Sequence, residues 1–442
     1  MAEEQVSRIK KINATGAMKA LMTEYFQELD RAGQDPGAKV AWCTSVGPAE
    51  LLRSFGFYVY FPENHGAMLG SSRLAGDLIP AANAAGYSPD ICSYLTSDIG
   101  SYLSRRTPLT PAFGMAGVPR PDLLVFNTNQ CRDVKDWFGF YEREFGVPMV
   151  GIDTMRSIET VTANHLEGLI AQHKALIPTL EAVSGRKFDL DRLKAVVASS
   201  YRWGALIPTL EAVSGRKFDL DRLKAVVASS YRCTRLWKKV LRLAERRPSP
   251  ITFFDGTIHM GPAVVLRGDP RAETYYETLI AELEARIAAG EGAVAGETYR
   301  FYWDGKMREH AELFAGHGVC VTASTYCNSW IFEALGDADP FAGMARAYTE
   351  LFIVRGEKYK LDYLERMVRD YGIDGVVYHD AKTCPNNSNN RYGLPERLAA
   401  KLGLPYVVIN GDLNDLRLYS EEQARTQFEA LVEQLREAGQ PS

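Results

Sequence analysis

Short apolar segments alternate with helical ones along most of this sequence, and this alternation constrains the fold more than any other feature. Four apolar runs near the N-terminus and four near the C-terminus have the length of buried strands: KVAWCT (39–44), FYVYF (57–61), DLLVFN (122–127), PMVGI (148–152), YRFYW (299–303), GVCVTA (318–323), GVVYH (375–379) and YVVING (406–411). Buried strands separated by helices form parallel sheets covered by helices on both faces. The sequence therefore predicts an α/β protein with two Rossmann-like parallel-sheet domains.

The stretch between the two groups of strands has helical periodicity and is predicted to join the two domains. We expect helical structure over 156–247, with turns at Gly185 and Gly215 and new helices that start near Asp189 and Asp219, and a further helix over 275–290. The predicted organisation is a helical N-terminal segment, a first α/β domain, a helical region and a second α/β domain, with boundaries at 1–37, 38–155, 156–297 and 298–442.

One segment of the helical region occurs twice without a single difference. The sequence of residues 175–202 returns unchanged at 205–232. Natural repeats diverge because each unit meets different neighbours, so identity in two copies points to a recent tandem duplication or a cloning or assembly error. We expect one copy to be surplus and to bulge outward or pack poorly. Deletion of either 175–204 or 205–234 is predicted to leave a chain at least as stable.

Composition excludes several classes of protein. The 442 residues carry 51 Lys and Arg against 55 Asp and Glu, a net charge of −4, which gives no support to a nucleic-acid-binding surface or a polybasic membrane anchor. No apolar run reaches the roughly 18 residues of a membrane span. The N-terminal MAEEQVSRIKK lacks the apolar core of a secretory signal, so a cytoplasmic location is expected.

The chain has seven cysteines, too few and too scattered for a disulfide scaffold. No CxxC pair occurs, which excludes zinc-ribbon and bacterial ferredoxin spacings, and the absence of GxxxxGK[ST] excludes a P-loop. Cys43 and Cys320 lie inside apolar strands and Cys233 in a helix, where packing is the favoured role, and the role of Cys327 stays open. In a reducing compartment these are free thiols or metal ligands.

Reactive side chains gather where the predicted strands end. Ser45, Glu63, Cys131, Cys327, Cys384 and the pair Asp412 and Asp415 all follow strands, and Cys92 lies near the start of a predicted helix, where the dipole favours a thiolate. Open parallel sheets bind ligands at the carboxyl ends of their strands. Three thiols from such loops could hold a [4Fe–4S] cluster and leave one iron open, whereas a pure electron carrier normally has four cysteine ligands.

Simpler roles exist for each of these residues. A free cysteine is usually a small buried hydrophobe. Glu63 could cap the following helix, His65 and His379 could be hydrogen-bonded loop histidines, and the two aspartates could be turn residues. The pair Arg105-Arg106 is expected to be a solvated surface pair.

Eight motifs of this sequence resemble those of a known family. Three of them carry a cysteine: GYSPDICSYLTSDIG, PDLLVFNTNQCRDVKDWF and GVVYHDAKTCPNNSNN. The other five occur in the order that the family shows: WCTSVGPAELL, YFPENHGA, RPSPI, LRGDPRAETYY and LPYVVINGDLNDLR. The family that they resemble is that of the 2-hydroxyacyl-CoA dehydratases and class I (ATP-dependent) benzoyl-CoA reductases. The resemblance extends from about residue 38 to 420, interrupted by the surplus repeat.

The resemblance implies that Cys92, Cys131 and Cys384 ligate one [4Fe–4S] cluster and that the thioester carbonyl approaches its open iron. It implies a paralogous second iron–sulfur subunit and a separate ATP-hydrolysing activator that delivers an electron at low potential. Ser45 and Glu63 match positions in the substrate site of the dehydratases and are candidates for acid–base or positioning roles. The substrate would be an acyl-CoA, reduced to a ketyl-type radical in a dry pocket.

The motifs divide between the two branches of the family. TSVGPAELL and YFPEN resemble the dehydratases, whereas RPSPI, TASTY and GDLNDLR resemble the benzoyl-CoA reductases. The composition is rich in Ala and Arg, which indicates a genome of high GC content and favours a bacterium that degrades aromatic compounds anaerobically. We therefore favour benzoyl-CoA reductase and keep 2-hydroxyacyl-CoA dehydratase as the alternative. A non-catalytic iron–sulfur electron-transfer or scaffold subunit and a metal-free binding protein are the remaining hypotheses.

Overall fold

The computed structural model describes residues 7–160, 162, 206–304, 311–336, 338, 340–384 and 393–439. These residues form a mixed α/β structure with two parallel sheets, as the sequence predicts. Apolar side chains from both sheets and from the helices around them join one large buried cluster. A single continuous core therefore supports both sheets.

The first sheet contains four parallel strands in the order β2-β1-β3-β4. Their bounds are Val40–Cys43 (β1), Tyr58–Tyr60 (β2), Leu123–Asn127 (β3) and Met149–Ile152 (β4). Ala41 at the centre pairs with Val59 on one side and Leu123 on the other. The chain continues from β1 to β2 on one side of the sheet and from β3 to β4 on the other side. Because these two connections lead away from each other, a crevice opens beyond the carboxyl ends of β1 and β3.

The second sheet repeats this arrangement in the order β6-β5-β7-β8, again with all strands parallel. Its strands are Tyr299–Asp304 (β5), Val319–Ala323 (β6), Gly375–Ala381 (β7) and Tyr406–Gly411 (β8). Each of the eight apolar runs singled out in the sequence thus contains a strand. Their β-branched and aromatic residues favour extended backbone, and burial on both faces explains the near absence of polar alternation.

Helices surround the first sheet and include the predicted N-terminal helix. They are Thr15–Gln34 (α1), Ala49–Ser54 (α2), Pro62–Ser71 (α3), Ala75–Ala84 (α4), Ser93–Ser104 (α5), Leu109–Phe113 (α6) and Asp133–Phe145 (α7). Three of them, α3, α5 and α7, begin beside the carboxyl ends of the strands. The site described below is built on their first turns.

The helices that follow belong to the connecting region and to the second sheet. They are Leu206–Ser214 (α8), Leu220–Leu243 (α9), Phe253–His259 (α10), Gly261–Val265 (α11), Pro270–Ala288 (α12), Ala311–Gly316 (α13), Thr325–Asn328 (α14), Pro340–Ala347 (α15), Glu357–Tyr371 (α16), Leu394–Leu402 (α17) and Glu421–Glu437 (α18). None of the described helices combines the length and the apolar character needed to cross a bilayer.

The second copy of the repeated segment belongs to the core. Its residues form α8 and the first part of α9, and Leu210, Leu223 and Val227 are buried. Helix α9 continues without a break beyond the copy, through Cys233 and Trp237, which are also buried. The first copy, at 175–202, lies outside the described residues.

The expectation that helical structure begins at residue 156 is wrong, because the first residues of this region are not helical. Residues 156–160 contain no helical turn, and Ile158 forms a β-bridge with Arg355. The backbone N–H of Ile158 donates to the Val354 carbonyl, and the N–H of Gly356 donates to the Ile158 carbonyl. These distant partners replace the hydrogen bonds that a helix would have formed locally.

Candidate functional site

Cys92 is the residue immediately before helix α5, as the sequence predicts. Its thiol accepts hydrogen bonds from the backbone N–H groups of Tyr94 and Leu95, which favour a thiolate. Burial nevertheless raises the pKa of this thiol well above its ordinary value, and the nearby Cys384 and Cys131 raise it further. The thiol therefore lies at a helix N-terminus but stays protonated unless a positively charged group, such as a metal, offsets the effect of burial.

Cys131 lies two residues before helix α7, in the loop that joins β3 to that helix. Its thiol accepts a hydrogen bond from the backbone N–H of Val134, and burial raises its pKa to about 12, with contributions from Glu63 and Cys384. The carboxylate of Asp133, in the first turn of α7, accepts a hydrogen bond from the backbone N–H of Cys92 at 3.4 Å. This contact joins the loops that carry the two thiols.

Cys384 follows β7 in the second sheet and completes a group of three thiols. Each member lies close enough to the other two to perturb their ionisation. The chain thus brings together residues from the ends of β3 and β7 and from the start of α5. Their role as ligands stays a prediction, but the convergence of their thiols is a property of the fold.

A chain of hydrogen bonds links the neighbours of Cys92 and Cys384. The backbone N–H of Ser93 donates to the hydroxyl of Thr383 at 3.1 Å, and that hydroxyl donates to the Asp412 carboxylate at 2.7 Å. Asp412 also accepts from the backbone N–H of Thr383 at 2.8 Å. Asp412 is a turn residue after β8, as the sequence allowed, and it fixes the two cysteine loops relative to each other.

The seven cysteines divide into two classes by exposure. The four outside the group, Cys43, Cys233, Cys320 and Cys327, are buried. The three in the group are only partly buried. Packing therefore accounts for the first class, including Cys327, whereas the residues of the second class keep some exposed surface, although burial raises the pKa of the Cys92 and Cys131 thiols.

Among the residues that the structure describes, no three His, Cys, Asp or Glu side chains are grouped closely enough to hold a single metal ion. A polynuclear cluster has other needs than a single ion, because its own inorganic sulfides bridge the metal atoms and its protein thiolates bind at separate corners. Three converging thiols, two of which accept from backbone N–H groups, are a donor set of that kind.

Ser45 and Glu63 lie together at the first sheet. Ser45 follows β1 and Glu63 is in the first turn of α3, where the backbone N–H of Ser45 donates to the Glu63 carboxylate. Burial raises the pKa of Glu63 to about 7, although the hydrogen bonds from Ser45 and the charge of Arg267 both lower it. Near neutral pH this carboxyl group therefore exists in both protonation states, which suits proton transfer.

A buried arginine that the sequence analysis did not single out holds the Ser45 loop. The Arg267 guanidinium donates to the carbonyls of Ser45 (2.8 Å) and Gly47 (3.3 Å) and to the Glu50 carboxylate (3.2 Å). Glu50 also accepts from the hydroxyl of Tyr348. Arg267 was detectable only as part of the LRGDPRAETYY motif, because nothing in its local sequence indicates burial.

Two tyrosines also lie near the thiols. Tyr94 and Tyr326 share a hydrogen bond, and burial raises the pKa of Tyr326 to about 12, with contributions from Cys327, Glu63 and Cys384. Tyr94 is two residues from Cys92, and Tyr326 belongs to the TASTY motif that follows β6. Their phenols add hydrogen-bonding groups near the thiols.

A buried network ties together the three helices that carry the site. Asp98 on α5 accepts from Trp137 Nε1 (2.9 Å) and the Tyr141 hydroxyl (2.6 Å) on α7, and it pairs with His65 on α3. The other ring nitrogen of His65 contacts the Thr107 hydroxyl at 2.8 Å. His65 is thus hydrogen-bonded, as expected, but it is a buried helical residue and not a loop residue.

His379 and the arginine pair complete the sequence-predicted set. His379 is a buried residue of β7 rather than of a loop, so it supports the strand that leads to Cys384. Arg105 and Arg106 are exposed, and Arg106 pairs with Asp77 at 3.4 Å, as expected of a surface pair.

Comparison with known proteins identifies the family. The sequence matches the 2-hydroxyglutaryl-CoA dehydratase D-component family over residues 44–206 and 202–435. The chain belongs to this family. The two matched pieces meet at 202–206, between the two copies of the repeat, as expected if one copy is additional to the family's own sequence.

Individual relatives of this family member are subunits of CoA-thioester enzymes. It is 30% identical over 436 residues to the (R)-2-hydroxyisocaproyl-CoA dehydratase alpha subunit of Clostridioides difficile, covering 94% of this chain and 95% of that protein. It is 29% identical to the lactoyl-CoA dehydratase subunit alpha of Anaerotignum propionicum, covering 96% and 98%. It is 27% identical to a benzoyl-CoA reductase subunit of Thauera aromatica, covering 86% and 85%. The resemblance found from the motifs is confirmed, and it includes both a dehydratase and a reductase branch.

Proposed function

We propose that this chain is the iron–sulfur subunit of an enzyme that carries out radical chemistry on CoA thioesters. The observation that carries the proposal is the convergence of Cys92, Cys131 and Cys384, the three cysteines that are only partly buried. They come from loops far apart in sequence, so chance packing is a poor explanation for their meeting. The family membership supplies independent support.

The proposed cofactor is one [4Fe–4S] cluster bound by these three thiols. When bound, it supplies one-electron transfer and, at the iron without a cysteine, a Lewis acid for a thioester carbonyl. Backbone N–H groups at the starts of α5 and α7 stabilise the thiolates that such binding requires. The hydrogen bonds of Asp133 and Thr383 fix the positions of the three loops relative to one another.

Glu63 and Ser45 are proposed to manage protons beside the cofactor. The Glu63 carboxyl group, with its pKa raised to about 7 by burial, can donate or accept a proton at neutral pH. The Ser45 N–H keeps it in place, and Arg267 fixes the Ser45 carbonyl from the other side. Tyr326, which is hydrogen-bonded to Tyr94, lies close enough to interact with the Glu63 charge.

Among the two branches, we propose dehydration of a 2-hydroxyacyl-CoA as the reaction and benzoyl-CoA reduction as the second candidate. The titratable Glu63–Ser45 pair suits the departure of a hydroxyl group, which must leave with a proton. Two dehydratase alpha subunits also align over more of the chain than the reductase subunit does. The reductase-like motifs RPSPI, TASTY and GDLNDLR favour the second candidate, which the sequence alone placed first.

The proposal includes partners. Relatives that are named as alpha subunits belong to enzymes with more than one kind of subunit. We propose a paralogous second iron–sulfur subunit and a separate ATP-hydrolysing activator. The chain has no P-loop of its own to use ATP.

Anaerobic reconstitution followed by an iron count tests the cofactor. We expect a brown protein with about four irons per chain, strong iron loss in Cys131→Ala, and retention of iron in the control Cys327→Ala, where the cysteine is buried away from the group. A colourless reconstituted protein would contradict the proposal.

The substrate is tested with the activated complex of this chain, its second subunit and the activator. A 2-hydroxyacyl-CoA and benzoyl-CoA are supplied in separate assays. Turnover of the hydroxyacyl thioester alone supports dehydration, and turnover of benzoyl-CoA alone supports the second candidate. A cluster EPR signal that no acyl-CoA alters, with no turnover of either, would indicate an electron-transfer or scaffold subunit.

A further inference from the structure

Arg156 lies on a segment that is anchored at both ends, between the two sheets. Before it, the Thr154 hydroxyl donates to Asn127 Oδ1 at 2.9 Å, at the end of β3. After it, the backbone N–H of Ile158 donates to the Val354 carbonyl at 3.3 Å. Arg156 therefore has a fixed position between the strand that leads to Cys131 and the second half of the chain.

The backbone beside Arg156 adopts a conformation that side chains other than glycine rarely take. Ser157 has a φ of 58°, in the left-handed region. Such a conformation costs on the order of 1 kcal/mol or more and persists only where surrounding contacts determine it. The turn at Ser157 is therefore one of the features that fix the position of Arg156.

The Arg156 side chain is partly buried. Its charge interacts with the Cys131 and Cys384 thiols and with the Asp133 carboxylate. No hydrogen bond or ion pair joins Arg156 to another residue in the described ranges. A guanidinium group stays protonated in proteins, so its positive charge acts on two of the three proposed ligands.

We propose that Arg156 acts as a fixed positive charge that raises the reduction potential of the cluster held by Cys92, Cys131 and Cys384. This inference rests on the proposed function. Three thiolates give the cluster a negative charge, and one-electron reduction adds another, so an adjacent cation stabilises the reduced form more than the oxidised form. Partial burial matters because water and salt would otherwise screen the interaction.

The test is an anaerobic EPR redox titration of the reconstituted full chain and of three variants. Arg156→Gln removes the charge, Arg156→Lys keeps it, and Arg132→Gln is the matched control. Arg132 is next to Cys131 in sequence but is exposed. At an applied potential near the wild-type midpoint, we expect Arg156→Gln to lower the reduced-to-oxidised ratio about tenfold, a shift of about 59 mV for one electron. Arg156→Lys and Arg132→Gln are expected to stay close to the wild type.

Iron counts and thermal denaturation separate this effect from misfolding. An unchanged midpoint in Arg156→Gln with the full iron count would overturn the inference while leaving the proposed cluster intact. Equal shifts in Arg156→Gln and Arg132→Gln would also overturn it, because position would then not matter. If Arg156→Gln loses its iron, the charge holds the cluster in place rather than setting its potential, and the inference is overturned. A wild-type chain that takes up no iron refutes the proposed function itself.

Discussion

The backbone N–H of Ser93 donates a hydrogen bond to the hydroxyl of Thr383 at 3.1 Å, across 290 positions of sequence. Ser93 directly follows Cys92, and Thr383 directly precedes Cys384. The same hydroxyl donates to Asp412, so the two cysteine loops share one buried polar link. This link therefore fixes the two cysteine loops relative to each other.

Thr383→Val removes this link while keeping the shape of the side chain. We expect the free energy of unfolding to fall by about 1–3 kcal/mol, because Asp412 and the Ser93 N–H lose a buried partner. We also expect the reconstituted protein to lose iron faster to a chelator. Thr383→Ser keeps the hydroxyl and is the control. Equal iron-release rates for the Val and Ser variants would show that the link does not hold the loops.

Asp98→Asn tests the network beneath the site. Asp98 accepts from Trp137 and Tyr141 and pairs with His65, all buried. An amide group cannot accept at both of its ends, so at least one buried donor loses its partner at a cost of about 1–3 kcal/mol. Urea denaturation measures the change. Asp77→Asn, which removes an exposed partner of Arg106, is expected to change the stability by no more than about 1 kcal/mol. Similar losses in the two variants would count against the network.

Glu63 gives the cofactor-free protein a pH-dependent stability. Its pKa in the folded state is about 7, above the ordinary 4.5, so the folded protein retains a proton that the unfolded chain loses. Its contribution to stability is therefore present below about pH 4.5 and is lost as the pH rises through 7. Relative to Glu63→Gln, the wild type is expected to lose thermal stability between pH 5 and pH 8. The exposed control Glu277→Gln is expected to track the wild type. A constant difference between Glu63→Gln and wild type across this range would refute the assignment.

The structure distinguishes the two deletions that the repeat suggests. Deletion of 175–204 keeps Cys233 and Thr234, which are buried in α9, and the hydroxyl of Thr234 accepts from the backbone N–H of Phe332 at 3.3 Å. Deletion of 205–234 instead places Trp203 and Gly204 at these two positions.

We expect the first deletion to melt no lower than the full chain, as the sequence predicts. The second is expected to be less stable than the first by about 2 kcal/mol or more, since a Trp overfills the Cys site and a Gly weakens the helix. Differential scanning calorimetry measures both. Equal melting temperatures would mean that this part of α9 tolerates repacking.

Much of the site was predictable because strand exits can be read from local sequence. Cys131, Cys384, Ser45 and Glu63 each follow an apolar run, and parallel sheets bring such residues to one edge. The placement of Cys92 at a helix start was equally local.

The remaining parts depend on contacts between distant residues. Residues 156–160 have a helical pattern, yet Ile158 bonds to residues around Val354, and the Arg355 side chain reaches the Ile158 carbonyl across 197 positions. The burial of Arg267 depends likewise on Glu50 and the Ser45 loop. Local periodicity carries no information about such partners, which override propensity.

The position of Cys384 beyond β7 determines when a cofactor held by the three thiols can be inserted. A ribosome that synthesises this chain adds Cys92 and Cys131 early and Cys384 only after most of the polypeptide has emerged. The first sheet can fold during translation, but Cys92 and Cys131 then lack the third thiol, that of Cys384. A cluster bound as proposed therefore finds all three thiols only after the second sheet has been synthesised.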